Sequence, residues 1–240
     1  VTLAAVLFDM DGTLVNSEPL WEETLHELAA EYGGTLSDAA RFSMVGTDMV
    51  TSMTILHADL GQPWRDIAAS GLRITELTER LFARGLPWRP GARELLAECR
   101  AAGLPLALVT STERRLVEVA LETLGRDTFA VVVCGDEVGG HTKPHPAPYL
   151  RAAELLGVDV TRCVAIEDSP AGVRSAVAAG AAVLGVPGDV VLAPELGATL
   201  APSLTGVDLA FLRRLLAEDL AVQDGEPAVL GGRPRPPALG

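Results

Sequence analysis

From Ala92 onward the chain repeats one rhythm: a helical stretch, a glycine, then a short apolar run. Ala92–Ala102 has the helical pattern, stops at Gly103 and is followed by the apolar run Pro105–Thr110. Glu113–Leu124 stops at Gly125 before Phe129–Cys134, and Pro146–Leu156 stops at Gly157 before Cys163–Ile166. Ala171–Ala179 stops at Gly180 before Ala182–Val186. Strands alternating with helical segments of about a dozen residues specify βαβ units and a parallel sheet. Ala198–Leu200 is expected to add a last short strand and Leu209–Leu216 a closing helix.

The start of the chain belongs to the same sheet. Ala4–Phe8 is a short apolar run that meets Asp9 and the turn-forming Met10-Asp11-Gly12-Thr13, which favours a buried strand over a helix. Ser17 before Glu18-Pro19 reads as an N-cap, and Leu20, Thr24, Leu28 and Tyr32 repeat every four residues until Gly33-Gly34. Thr35–Arg84 keeps a helical pattern, broken at Gly46, Gly61-Gln62-Pro63 and Gly85. The expected architecture is therefore α/β: a Rossmann-like parallel-sheet core from residues 1–15 and 89–218, with an inserted α-helical cap from residues 16–88. Residues 219–240, with Gly-Gly-Arg-Pro-Arg-Pro-Pro, read as a disordered tail.

Charge and composition exclude several functions. A net charge of −13 argues against nucleic acid or an anionic membrane as partner, since both are bound by basic patches. No apolar run reaches the roughly 18–20 residues that span a bilayer, and no basic segment followed by a long apolar stretch marks a secretory signal. Cys99, Cys134 and Cys163 are odd in number and far apart, which fits a reducing cytoplasm better than a disulfide framework. A monomer is the default expectation. One detail is sharper: of the 19 basic residues only Lys143 is lysine.

In open α/β sheets ligands collect at the carboxyl ends of the strands. Asp9 and Asp11 follow the first expected strand, Thr110 and Ser111 end the second, Lys143 follows the third, and Glu167, Asp168 and Ser169 follow the fourth. Taken singly each has a plainer role, as helix cap or surface residue. Together they place carboxylates, hydroxyls and one ammonium on one rim. Phosphoryl transfer needs a placed nucleophile, donors to the phosphate oxygens and a cation that offsets carboxylate repulsion; Mg²⁺ suits an all-oxygen ligand set. A carboxylate nucleophile splits the displacement into two steps, and a second carboxylate two positions on can serve as general acid and base.

Asp9-Met10-Asp11-Gly12-Thr13-Leu14, Val109-Thr110-Ser111, Lys143-Pro144-His145-Pro146 and Glu167-Asp168-Ser169 resemble, in order, the four motifs of the haloacid-dehalogenase superfamily. The helical insertion resembles its C1-type cap. Val15-Asn16-Ser17-Glu18-Pro19 is similar to the β-phosphoglucomutase-like and sugar-phosphate phosphatase branch, with Asn16 where Asp is usual. The resemblance implies Asp9 as nucleophile and metal ligand, and Asp11 as general acid and base with its main-chain carbonyl on the metal. It implies Thr110, Ser111 and Lys143 at the phosphoryl group, Asp168 as a metal ligand, and Glu167 as a ligand directly or through water. Gly46 and Thr47, with Ser17 and Glu18, fall where such caps face a substrate, a small phosphomonoester. Asp11 is present, unlike in the dehalogenases, and the cap has no lysine for the Schiff base of phosphonatases. A phosphosugar mutase shares all four motifs, but Met49 and Trp21 stand where it uses a basic residue and a histidine. Hydrolysis is favoured over the mutase and over a non-catalytic binding module on the same fold.

Overall fold

The computed structural model of the chain describes residues 2–44, 47, 49–188 and 190–223. In chain order its elements begin with β1 (Ala5–Phe8), α1 (Glu18–Glu31), α2 (Asp38–Met44), α3 (Met49–Asp59), α4 (Ile67–Phe82) and α5 (Ala92–Ala101). They continue with β2 (Leu106–Val109), α6 (Arg114–Leu124), β3 (Val131–Val133), α7 (Ala147–Leu156) and β4 (Cys163–Glu167). Then come α8 (Pro170–Ala179), β5 (Ala182–Gly185), β6 (Thr199–Leu200) and α9 (Leu209–Gln223).

The strands form one parallel sheet in the order β3-β2-β1-β4-β5-β6, so the expected α/β architecture is present. The order reverses at β1: β2 and β3 extend to one side of it, and β4, β5 and β6 to the other. Such a reversal opens a crevice beyond the carboxyl ends of the central strands.

The apolar runs of β1, β2, β4 and β5 are continuous because these strands are buried on both faces. Side chains alternate along a strand. Ala5, Leu7, Ala107, Val109, Cys163, Ala165 and Val183 pack on one side with Tyr149 and Ala152 of α7 and Val173 and Ala176 of α8. The residues between them, Val6, Phe8, Leu106, Leu108, Val164, Ile166 and Leu184, are buried as well. The stops predicted at Gly157 and Gly180 are the C-caps of α7 and α8.

Two compact units emerge. Counting described residues only, one draws on Val1–Asn16, Pro87–Val117 and Leu124–Gly240, the other on Ser17–Leu86 and Glu118–Thr123. The second is helical, with Leu28, Leu36, Met53, Leu56, Ile74 and Leu77 in its core. Glu118–Thr123 lies within α6; the amide of Leu86 donates to Thr123 Oγ1 at 3.1 Å.

Some local expectations change. The closing helix does not end at Leu216 but continues to Gln223. No glycine or proline occurs in 217–223, so nothing in the chain stops it there. Ser17 stands at the N-cap of α1 but in helical geometry (φ −88°, ψ −17°), without the side-chain capping bond expected of it. Residues 224–240, where most of the expected tail falls, lie outside the described residues.

Candidate active site

Asp9 is the first residue past β1, and its amide donates to the Ile166 carbonyl of β4 at 3.0 Å. The chain then tightens: the amides of Leu14 and Val15 both donate to the Met10 carbonyl, at 2.9 and 3.1 Å. Gly12 sits inside this turn at φ +80°, a conformation open to glycine and strained for other residues. A Cβ there would also overlap the Asp168 carboxylate. Gly12→Ala is therefore expected to cost about 1–3 kcal/mol of stability through the backbone alone. It should also displace Asp168 and weaken divalent-metal binding. Denaturant midpoints and metal titration check this; wild-type values in both would refute the account.

Lys143 lies in the loop before α7, with its side chain 4 % exposed. Its ammonium donates to Asp9 Oδ1 at 2.6 Å, Glu167 Oε1 at 2.6 Å and the Val109 carbonyl at the end of β2 at 2.8 Å. All three N–H groups are thereby used. Glu167 ends β4 with no exposed surface. Its Oε1 also accepts from the Tyr149 hydroxyl at 2.6 Å, and its Oε2 accepts from the Ser169 hydroxyl and amide at 3.2 and 3.4 Å. Ser169 in turn caps α8, accepting from the Gly172 amide at 3.0 Å, with Pro170 at the first helical position. Gly172 has to lack a Cβ, which would overlap the Glu167 carboxylate.

Asp11 faces a run of hydroxyls. Its Oδ2 accepts from Thr112 Oγ1 at 2.7 Å and from Thr110 Oγ1 at 3.4 Å. Thr110 Oγ1 also accepts the Thr112 amide at 3.0 Å, a local turn that aligns the two side chains. Ser111, between them, is exposed. Thr13 donates to Asp168 Oδ1 at 3.4 Å.

The electrostatics are unbalanced toward negative charge. Burial pushes the Asp9 carboxyl up to about 7, with the Lys143 charge opposing and Glu167 adding to the rise. Burial, then repulsion from Asp9 and Glu167, lifts Asp168 to about 9. Burial works against the charge of Lys143, but Asp9 and Glu167 outweigh it and hold the ammonium above the ordinary lysine range. Asp9, Glu167 and Asp168 each offer an oxygen within 4.8 Å of the others. An all-oxygen set with surplus negative charge could hold a hard divalent cation.

The structure thus brings Asp9, Asp11, Thr110, Lys143, Glu167 and Asp168 to one rim. Ser17, Glu18 and Thr47 lie in the helical unit, where Thr47 Oγ1 donates to the Met44 carbonyl at 2.9 Å; Gly46 lies outside the described residues. Three site residues escaped the sequence reading. Thr112 left no periodic signal, because it lies in the turn beyond β2, where strand alternation has ended. Thr13 stood inside the first motif. Tyr149 reads as an ordinary core position on a helix.

A family model described as haloacid dehalogenase-like hydrolase matches residues 3–180. Hexitol phosphatase B of Escherichia coli (strain K12) is 33% identical over 231 residues, 91% of this chain and 96% of that protein. The phosphorylated carbohydrates phosphatase of Thermotoga maritima is 35% identical over 182 residues, 74% of this chain and 82% of that protein. The crystal structure of CbbY from Rhodobacter sphaeroides in complex with phosphate matches with a TM-score of 0.77 and 31% identity, over 88% of this chain and 100% of that one. The chain belongs to the haloacid dehalogenase-like hydrolases, as its motifs implied, and its relatives include phosphatases. No helix among the described residues is long and apolar enough to cross a membrane.

Proposed function

We propose that the chain is a Mg²⁺-dependent phosphatase of small phosphorylated polyols or sugars, working through a phosphorylated Asp9. The observation that carries this reading is the buried ammonium of Lys143, 2.6 Å from both Asp9 Oδ1 and Glu167 Oε1, with Asp11 and Asp168 on the same rim. The hexitol and carbohydrate phosphatases among the relatives support the substrate class.

Asp9 and Asp168, with the main-chain carbonyl of Asp11, would hold Mg²⁺, and Glu167 would reach it directly or through water. When bound, the ion neutralises phosphate oxygens that the carboxylates would otherwise repel. Lys143 and Thr110 donate to the transferring phosphoryl group. An Asp9 oxygen attacks phosphorus, the bond to the leaving oxygen breaks, and Asp11 gives that oxygen its proton. Asp11, now a carboxylate, takes a proton from water, whose oxygen attacks the aspartyl phosphate; phosphate leaves and Asp9 is restored. The Thr112 hydroxyl donates to Asp11 Oδ2 and holds the carboxyl group at the rim. The resemblance further assigns the choice of leaving alcohol to Ser17, Glu18, Gly46 and Thr47, in a cap of residues 16–88.

Phosphate release from hexitol, sugar and nucleoside monophosphates, with Mg²⁺ and with chelator, tests the reading. Release is expected to be fastest with a hexitol or sugar phosphate and to fall roughly 100-fold or more with chelator. No release from any of them would overturn it and turn attention to a mutase, assayed with a hexose 1-phosphate and a bisphosphate primer.

A further inference from the structure

Tyr149 heads the fully buried side chains by size, and the reaction as drawn has no use for it. It lies in the first turn of α7, packed in the apolar cluster that includes Ala152, Val173 and Ala176. A phenylalanine would fill the same space. The hydroxyl carries a desolvation cost that only a good partner offsets. Its partner is Glu167 Oε1, at 2.6 Å, the oxygen that also receives Lys143. The Lys143 ammonium stands 5.3 Å from the centre of the Tyr149 ring, within reach of its electron-rich π system.

These contacts form a chain of four groups, Tyr149 to Glu167 to Lys143 to Asp9. The terminal torsion of a glutamate is broad, so the carboxylate plane is set by its partners. The contacts to Oε2 are long, 3.2 and 3.4 Å, whereas Tyr149 and Lys143 both hold Oε1 at 2.6 Å. With the phenol on one lone pair of Oε1, the ammonium is confined to the other. Without it, the carboxylate can turn and the ammonium can follow it away from Asp9.

We infer that Tyr149 is a positioning residue: acting through Glu167, its hydroxyl fixes the Lys143 ammonium beside Asp9, where the phosphoryl group is received. The inference rests on the phosphatase reading and deepens it. Tyr149→Phe keeps the ring and its packing and removes only the hydroxyl. KM for the preferred phosphomonoester and the inhibition constant of inorganic phosphate are each expected to rise roughly tenfold, the usual scale for a residue supporting a site at one remove. kcat should change less. Val173→Ala, a loss of packing in the same cluster, should lower thermal stability and leave both constants at wild type. In a Glu167→Gln background Tyr149→Phe should add nothing to either constant, because the two residues act in series. Wild-type constants in Tyr149→Phe, or equal changes in Val173→Ala, would overturn the positioning role. That failure is separable from failure of the phosphatase reading, which would show as no phosphate release by the wild type from any of the phosphomonoesters.

Discussion

Asp9→Asn is expected to lose turnover by roughly 10³-fold or more while keeping its fold, because the amide cannot act as the nucleophile. The side chains are nearly the same shape, and the amide oxygen can still accept from Lys143. The stability comparison has a defined sign. In the wild type, burial raises the folded-state pKa of Asp9 from 3.8 to about 7. A carboxyl raised on folding contributes stability below its unfolded pKa and loses it as pH rises through the folded value. Asparagine does not titrate, so the metal-free variant should be at least as stable as wild type at pH 8. Phosphate release and thermal unfolding of purified variant and wild type check both halves. Retained turnover would remove Asp9 from the nucleophile role, whereas loss of turnover with loss of fold would leave the stability argument wrong.

Lys143→Ala should damage both chemistry and fold. Loss of a charged donor aimed at a reacting group typically costs 10²–10³-fold in rate, and about that is expected here. The fold suffers because Asp9 and Glu167, 6 % and 0 % exposed, lose the ammonium between them. Stranding buried charge in this way costs about 3–5 kcal/mol when no relief is available. Relief comes from protons. Without Lys143 the influence that lowers the Asp9 pKa is gone, while burial and Glu167 still raise it. The variant's deficit should therefore be small near pH 5 and grow toward pH 8, as Asp9 is forced to ionise. Denaturant midpoints of metal-free protein at the two pH values measure it. A deficit independent of pH, or larger in acid, would contradict the account.

Much of the sheet was legible because its central strands are buried on both faces. That burial makes β1, β2, β4 and β5 continuous apolar runs, bounded by glycines that end the intervening helices. Edges were less legible. Phe129–Cys134 reads as one strand, yet only Val131–Val133 pairs as β3. Apolar composition does not show where pairing stops at the sheet's margin. α9 outran its expected end because a reading that seeks breakers too early undervalues Ala217–Gln223, all tolerable in a helix.

The candidate site divides the same way. Asp9, Asp11, Thr110, Lys143, Glu167 and Asp168 could be named from the sequence because each lies at or beyond the carboxyl end of a strand, and parallel strands deliver those ends to one rim. A single lysine among 19 basic residues singled out its own position. Tertiary structure alone decided the partners. Which hydroxyl of Thr110-Ser111-Thr112 meets Asp11 depends on the turn after β2, which turns Ser111 outward. That a tyrosine in the first turn of α7 reaches Glu167, and that Glu167 shares one oxygen between that phenol and Lys143, depends on how α7 packs on the sheet. Local sequence specifies which groups a strand end presents, through periodicity and breakers that act over a few residues. Hydrogen-bond partners separated by 18, 24 or 134 positions are set only when the layers pack.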